Sequence, residues 1–250
     1  MLFRRIFNRI AAARGKWGVY LLEVALIVLS VLLAIQADRY NQERKNEAKL
    51  KAYIQALYQD LKDEQFANRN NLLDCKEDIA SIASCIRLSQ YGHNDSINMA
   101  LDHFRQVFSR GVFRAFPPTT FHIMTNSGDI ALIKDLALRK QLTATFAFRD
   151  NYIKQDLRNH DQLTKDIASR MSPYLDFPCM KRSDGLHQCL TDRDGFAANG
   201  QNDLFLFQQT AEARAFHLKV GINYFEACIG ELEGGYGEVL AVEDVYSVDS

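Results

Sequence analysis

Five cysteines carry the covalent chemistry open to this chain: Cys75, Cys85, Cys179, Cys189 and Cys228. Cys179 and Cys189 share a stretch rich in Gly, Asp and Asn, residues 176–202. In an oxidising compartment their sulfurs would join and close a loop that has no core of its own. With His187 the same thiols would supply only three zinc ligands and no paired-cysteine knuckle, so the disulfide is the expectation. Asp192-Arg193-Asp194-Gly195 hints at a calcium loop, but Gly195 comes too early and Phe196 takes a ligand position. Cys75 and Cys85 cannot bridge each other along one straight helix, because ten residues span about 15 Å. A bridge from one of them to Cys228 and free buried thiols both stay open. His93, His103, His122, His160 and His217 show no metal-ligand spacing, and Ser127 stands in Ser-Gly-Asp rather than in a nucleophile elbow. The reading therefore expects no catalytic residue, no metal ligand and no cofactor.

The element that must place everything else is Gly18–Gln36, GVYLLEVALIVLSVLLAIQ, apolar or small but for Glu23 until its last residue. About eighteen residues at roughly 1.5 Å each match the hydrocarbon thickness of a bilayer. Arg4, Arg5, Arg9, Arg14 and Lys16 precede it without a single acid. The positive-inside rule then puts residues 1–17 in the cytoplasm, 18–37 across the inner membrane, and the bulk of the chain outside it, in a periplasm if the cell has one. A cleaved signal peptide is the rival, but the apolar core is long and the polar flank runs straight into helix-forming sequence. Glu23, Ile27, Ser30, Ala34 and Ala37 recur every three to four residues, giving one small or polar helix face. Such a face lets a second transmembrane helix approach, so a membrane protein partner or self-association is expected beside the lipid bilayer.

The run from Glu23 to Gln36, followed by Asp38, Tyr40, Asn41 and Glu43, resembles the opening of the DUF6090 family, whose pattern has Gly at the places of Leu22 and Ser30 and Trp at that of Tyr40. A second stretch is similar to that family's other motif, in the places held by Thr120, Phe121, Met124, Ser127, Gly128, Ile130, Leu132, Ile133, Leu138 and Arg139. The resemblance implies a bacterial single-pass membrane protein and brings no assigned activity with it.

Beyond the membrane segment, the spacing of apolar residues predicts helices over 38–90, 96–109, 119–127, 136–172 and 203–232, with a loop at 176–202 and an acidic tail at 233–250. A bend is expected near Asn68-Arg69-Asn70-Asn71, and Tyr91-Gly92 should end the first helix. Ser127, Gly128 and Asp129 read as a structural turn, with Asp129 or Asp135 capping the next helix. Gly234, Gly235 and Gly237 should stop the last helix. The fold class expected is thus all-α: an N-terminal transmembrane helix followed by an extracytoplasmic antiparallel helical bundle over 38–232.

Net charge of −1 at pH 7 argues against a nucleic-acid binder. The sequence points to a non-enzymatic binding or scaffold component of a membrane complex. A ligand-sensing periplasmic bundle that signals through a membrane partner is the alternative.

Overall fold

In the computed structural model the chain is helical, and the described residues hold no β-strand beyond one isolated bridge between Leu175 and Leu190. The structure describes residues 2–91, 93–109, 119–182 and 185–241, without the side chains of 2–22 and Ser109. Gly92, the connection over 110–118 and the tail beyond Ala241 lie outside those residues. The chain divides into two compact units, Met1–Ala52 and Tyr53–Ser250.

The first unit consists of the early part of α1 (Leu2–Ser89). Its large apolar side chains from Val24 to Ile35 are each 47–61 % exposed, on every side of the helix. Among the described residues no helix is long and apolar enough to cross a membrane. The span expected at 18–37 is described with side chains only from Glu23 onward.

The second unit holds the rest of α1 with α2 (Asn94–Ser109), α3 (Thr120–Ser127), α4 (Leu136–Phe148), α5 (Lys154–Met171), α6 (Phe177–Met180) and α7 (Arg193–Leu240). Short 3-10 turns at Asp129–Leu132 and Leu186–Cys189 link them, and a π-turn at Arg149–Ile153 joins α4 to α5. Tyr53 bonds Asp129, Glu64 bonds Arg149, and Ile82 and Cys85 share a cluster with Ile167 and Met171, so α1 runs parallel to α4–α5. Tyr58 meets Glu233 and Arg69 meets Glu226, so α7 runs back against both. The same reversal holds along α5, where His217 meets Asp156 and Arg170 meets Asp203.

Two points differ from the sequence reading, each for a local reason. The helix expected to bend at Asn68–Asn71 is unbroken through this unit. Asn68 turns into the bundle and Arg69 pairs with Glu226 at 2.6 Å, so the polar run serves contacts between helices. The last helix starts at Arg193, ten residues early, because Asp192 accepts from Gly195 N at 2.9 Å and Phe196 is buried one turn later. At the other end a kink at Tyr236 (φ −134°, ψ 23°) interrupts the helix beside Gly234, Gly235 and Gly237, and one further turn continues to Leu240. Gln55 holds that last turn through the Val239 carbonyl, at 3.2 Å.

Close approach explains one glycine. A Cβ on Gly221 would lie 2.5 Å from Ile153 Cδ1, so a side chain there would displace the end of Ile153 where α7 meets the π-turn. The core has two parts. Toward the disulfide loop, Phe104, Met171, Phe196 and Phe207 lie in one apolar cluster. Toward α3, Phe121 stacks on Phe146 at 4.6 Å, and Phe146 meets Phe225 edge-on.

Candidate functional site

Helix α1 places Asp60, Glu64 and Asn68 at four-residue intervals, hence on one face. Leu57 and Leu61 beside them are fully buried, so this face enters the bundle and takes its polar groups along. Asp60 Oδ2 accepts from Thr120 N at 2.6 Å, in the first turn of α3. Glu64 Oε1 accepts from Arg149 Nε at 2.6 Å and also from Arg149 Nη2. Arg149 is fully buried at the start of the π-turn.

The network then runs outward. Arg149 Nη1 donates to Asp150 Oδ1 at 3.1 Å, Lys154 Nζ lies 2.7 Å from the same oxygen, and His122 Nε2 lies 2.8 Å from Asp150 Oδ2. Thr119 Oγ1 sits 2.7 Å from the other ring nitrogen of His122. Burial works to raise the Asp150 carboxyl, but Lys154, His122 and Arg149 together outweigh it and hold it below the usual carboxylate range. A π-turn inserts one residue into the helical ladder and re-aims the side chains after it. Here it sends Arg149 inward and Asp150 toward the surface from adjacent positions. Chemically the arrangement is a buried guanidinium answered by a carboxylate, a device that fixes one pairing of helices because a slipped partner would strand a charge. Sequence reasoning missed it. The signal was present in the four-residue spacing of Asp60, Glu64 and Asn68, but Asn68 was expected in a bend.

The sequence-predicted residues fall into three places. Cys179 and Cys189 are joined in a disulfide with their Cα atoms 5.5 Å apart. Asp176 caps α6 through Cys179 N at 2.9 Å, and Asp176 N donates to the Cys189 carbonyl at 2.9 Å, so the bridge staples two short turns. His187, weighed as a zinc ligand, lies 2.9 Å from Asn98 through Nδ1. Among the described residues no group of three or more His, Cys, Asp or Glu is arranged to hold a metal ion. Cys75, Cys85 and Cys228 are free and buried, and burial pushes the first two thiols up to about 11 and about 12. Cys228 sits 3.0 Å from Thr145 Oγ1 instead of meeting another cysteine.

At the turn, Gly128 adopts φ 78°, the left-handed conformation that closes α3. Ser127 Oγ donates to Asp129 Oδ2 at 2.6 Å, and Tyr53 OH donates to that oxygen at 2.9 Å. Asp129 therefore ties the turn to α1, and the cap of α4 falls to Asp135, which accepts from Ala137 N and Leu138 N. Glu23, Ile27, Ser30 and Ala34 lie in the first unit on exposed helix, where Ser30 Oγ donates to the Leu26 carbonyl at 2.7 Å.

One groove in the second unit is open to solvent. Asp135, Leu138, Ala227, Gly230, Glu231, Gly234, Gly235 and Tyr236 line about 470 Å³ between the start of α4 and the end of α7. Burial, and then the charge of Asp135, raise the Tyr236 hydroxyl above its ordinary value.

No family model, no curated protein and no solved structure matches this chain. The resemblance to the DUF6090 family thus remains one of motifs.

Proposed function

We propose that this chain is a single-pass protein of the bacterial inner membrane whose segment 18–37 anchors a periplasmic helical domain, and that the domain binds or scaffolds a membrane complex without catalysing a reaction. The observation that carries this reading is the girdle from Val24 to Ile35, where every large apolar side chain is about half exposed, on all sides of the helix. A helix apolar all round needs an apolar surrounding, and a bilayer supplies it. Residues 18–22 bring the span to bilayer length, and the five bases before it set the orientation. The disulfide at Cys179–Cys189 fits an oxidising compartment.

A binding or scaffold role draws support from the second unit. Its charged clusters, Glu64–Arg149–Asp150–His122 and Tyr58–Lys62–Glu233, bind their own members. The face of Glu23, Ile27, Ser30 and Ala34 remains the place for a second transmembrane helix. The groove at Gly230–Tyr236 favours a second reading, a ligand-sensing bundle that signals through a membrane partner.

Two measurements test the anchor. The full chain should stay in the membrane pellet through alkaline carbonate extraction, and a phosphatase fused after Ser250 should be active only in the periplasm. Extraction into the supernatant, or an inactive fusion in intact cells, would overturn it. For the scaffold, cross-linking in intact cells should give a discrete adduct that Glu23→Leu with Ser30→Leu diminishes. A chain recovered only as a monomer would sink that part.

A further inference from the structure

Glu64 and Asn68 bring into the bundle three hydrogen-bonding atoms that the described residues do not answer. Both donors from Arg149 converge on Glu64 Oε1. The other oxygen, Glu64 Oε2, is enclosed and has no hydrogen-bonding partner among the described residues. One turn further on, Asn68 is 0 % exposed, and neither its Oδ1 nor its Nδ2 has a partner among those residues. Native interiors rarely leave such groups unsatisfied, because an amide or a carboxylate oxygen stripped of water without a replacement bond is costly. When the chain does not supply the bond, ordered water does.

The chemistry selects the guest. Arg149 already balances the charge of Glu64, so a cation would leave excess positive charge beside the guanidinium. An anion would face the bare Glu64 Oε2. A neutral guest must give a hydrogen to that oxygen and also serve an amide that both donates and accepts. Residues four apart on a helix stand about 5–6 Å apart at Cβ, which leaves a single small molecule as the bridge.

We propose that Glu64 and Asn68 enclose an ordered internal water beside the Glu64–Arg149 pair. The water donates to Glu64 Oε2 and to Asn68 Oδ1 or accepts from Asn68 Nδ2, and it completes the polar face that Asp60 begins. Exchange with solvent follows the network outward to Asp150 and His122, whose side chains are 32 % and 33 % exposed. The buried pair is then hydrated, and the wet spot lies where the π-turn meets α1.

A crystal structure of the full chain in detergent, at a resolution that shows ordered water, decides the matter on the wild type. Density within hydrogen-bonding reach of Glu64 Oε2 and Asn68 is the expected result. A direct Glu64–Asn68 hydrogen bond, or no density between them, overturns the proposal. Magnetic relaxation dispersion of water oxygen-17 on the same protein gives an independent count. Asn68→Leu should lose one long-lived water, whereas Asn68→Ser should keep it. Equal counts in wild type and Asn68→Leu overturn the proposal, and the wild-type map stands even if that variant fails to fold.

Discussion

Near the disulfide loop, Phe104 stacks on Phe108 at 4.2 Å and meets Phe196 edge-on, among Leu101, Ile167, Met171 and Phe207. Midway along α1, a fully buried Arg149 is held by Glu64 with Asn68 beside it. The first region binds by area, and area is indifferent to small shifts in pairing. The second is indifferent to area but demands one register, since a slip of one residue would leave a guanidinium facing apolar side chains. The bundle therefore draws cohesion from one region and alignment of α1 with α4–α5 from the other.

The sharpest way to break that contrast is Arg149→Met, which strands Glu64 in the interior. The expected loss is about 3–5 kcal/mol in urea unfolding, and adding Glu64→Leu should return most of it. A single variant within about 0.5 kcal/mol of wild type would remove the alignment role. Next comes the staple at the apolar end. Replacing the bridge with Cys179→Ser and Cys189→Ser should cost about 2–3 kcal/mol, because the closed loop is short. Its effect should be confined to protection of α6 and the start of α7 in hydrogen exchange. Equal loss of protection at α3 would show that the two regions are not separable.

A smaller, pH-dependent effect belongs to His160, whose ring lies 4.6 Å from Phe207 in the apolar region. Burial, and then the charge of Arg214, push its pKa down from 6.5 to about 4. The folded form keeps the ring neutral while the unfolded chain takes up a proton, so stability is complete above 6.5 and falls as pH drops toward about 4. The slope approaches about 1.4 kcal/mol per pH unit. His160→Phe should flatten the curve in that window. Asp150 acts in the same direction but at lower pH. Its lowered carboxyl adds stability above its ordinary value of 3.8, which is lost only at lower pH, so the two windows separate. An unchanged slope in His160→Phe would assign the acid sensitivity elsewhere. The smallest effect is expected at Arg69→Ala, whose partner Glu226 and own side chain are both about half exposed. It should change stability by less than about 1 kcal/mol.

Much of the helical layout was open to reading before any fold. Apolar spacing at Leu57, Leu61, Leu138, Leu142, Phe207 and Ala211 marks buried helix faces. Ser127-Gly128 marks a turn, and Cys179 and Cys189 mark a loop in want of a staple, because each is a short-range property of the chain. The start of α7 was less legible, because Asp192 and Phe196 set it ten residues ahead of the expected Asp203.

What the sequence alone determined was helix, turn and staple, together with the apolar run at 18–36, since these follow from spacing and from the conformational range of single residues. What tertiary structure decided was the meaning of the polar residues. Asn68 and Arg69 looked like a bend, yet one is buried and the other bridges to α7. Asp129 looked like a cap and became a tie to Tyr53. A charge or an amide has no preferred neighbour along the chain, so its role is fixed only when folding brings Arg149 to Glu64 from eighty-five residues away.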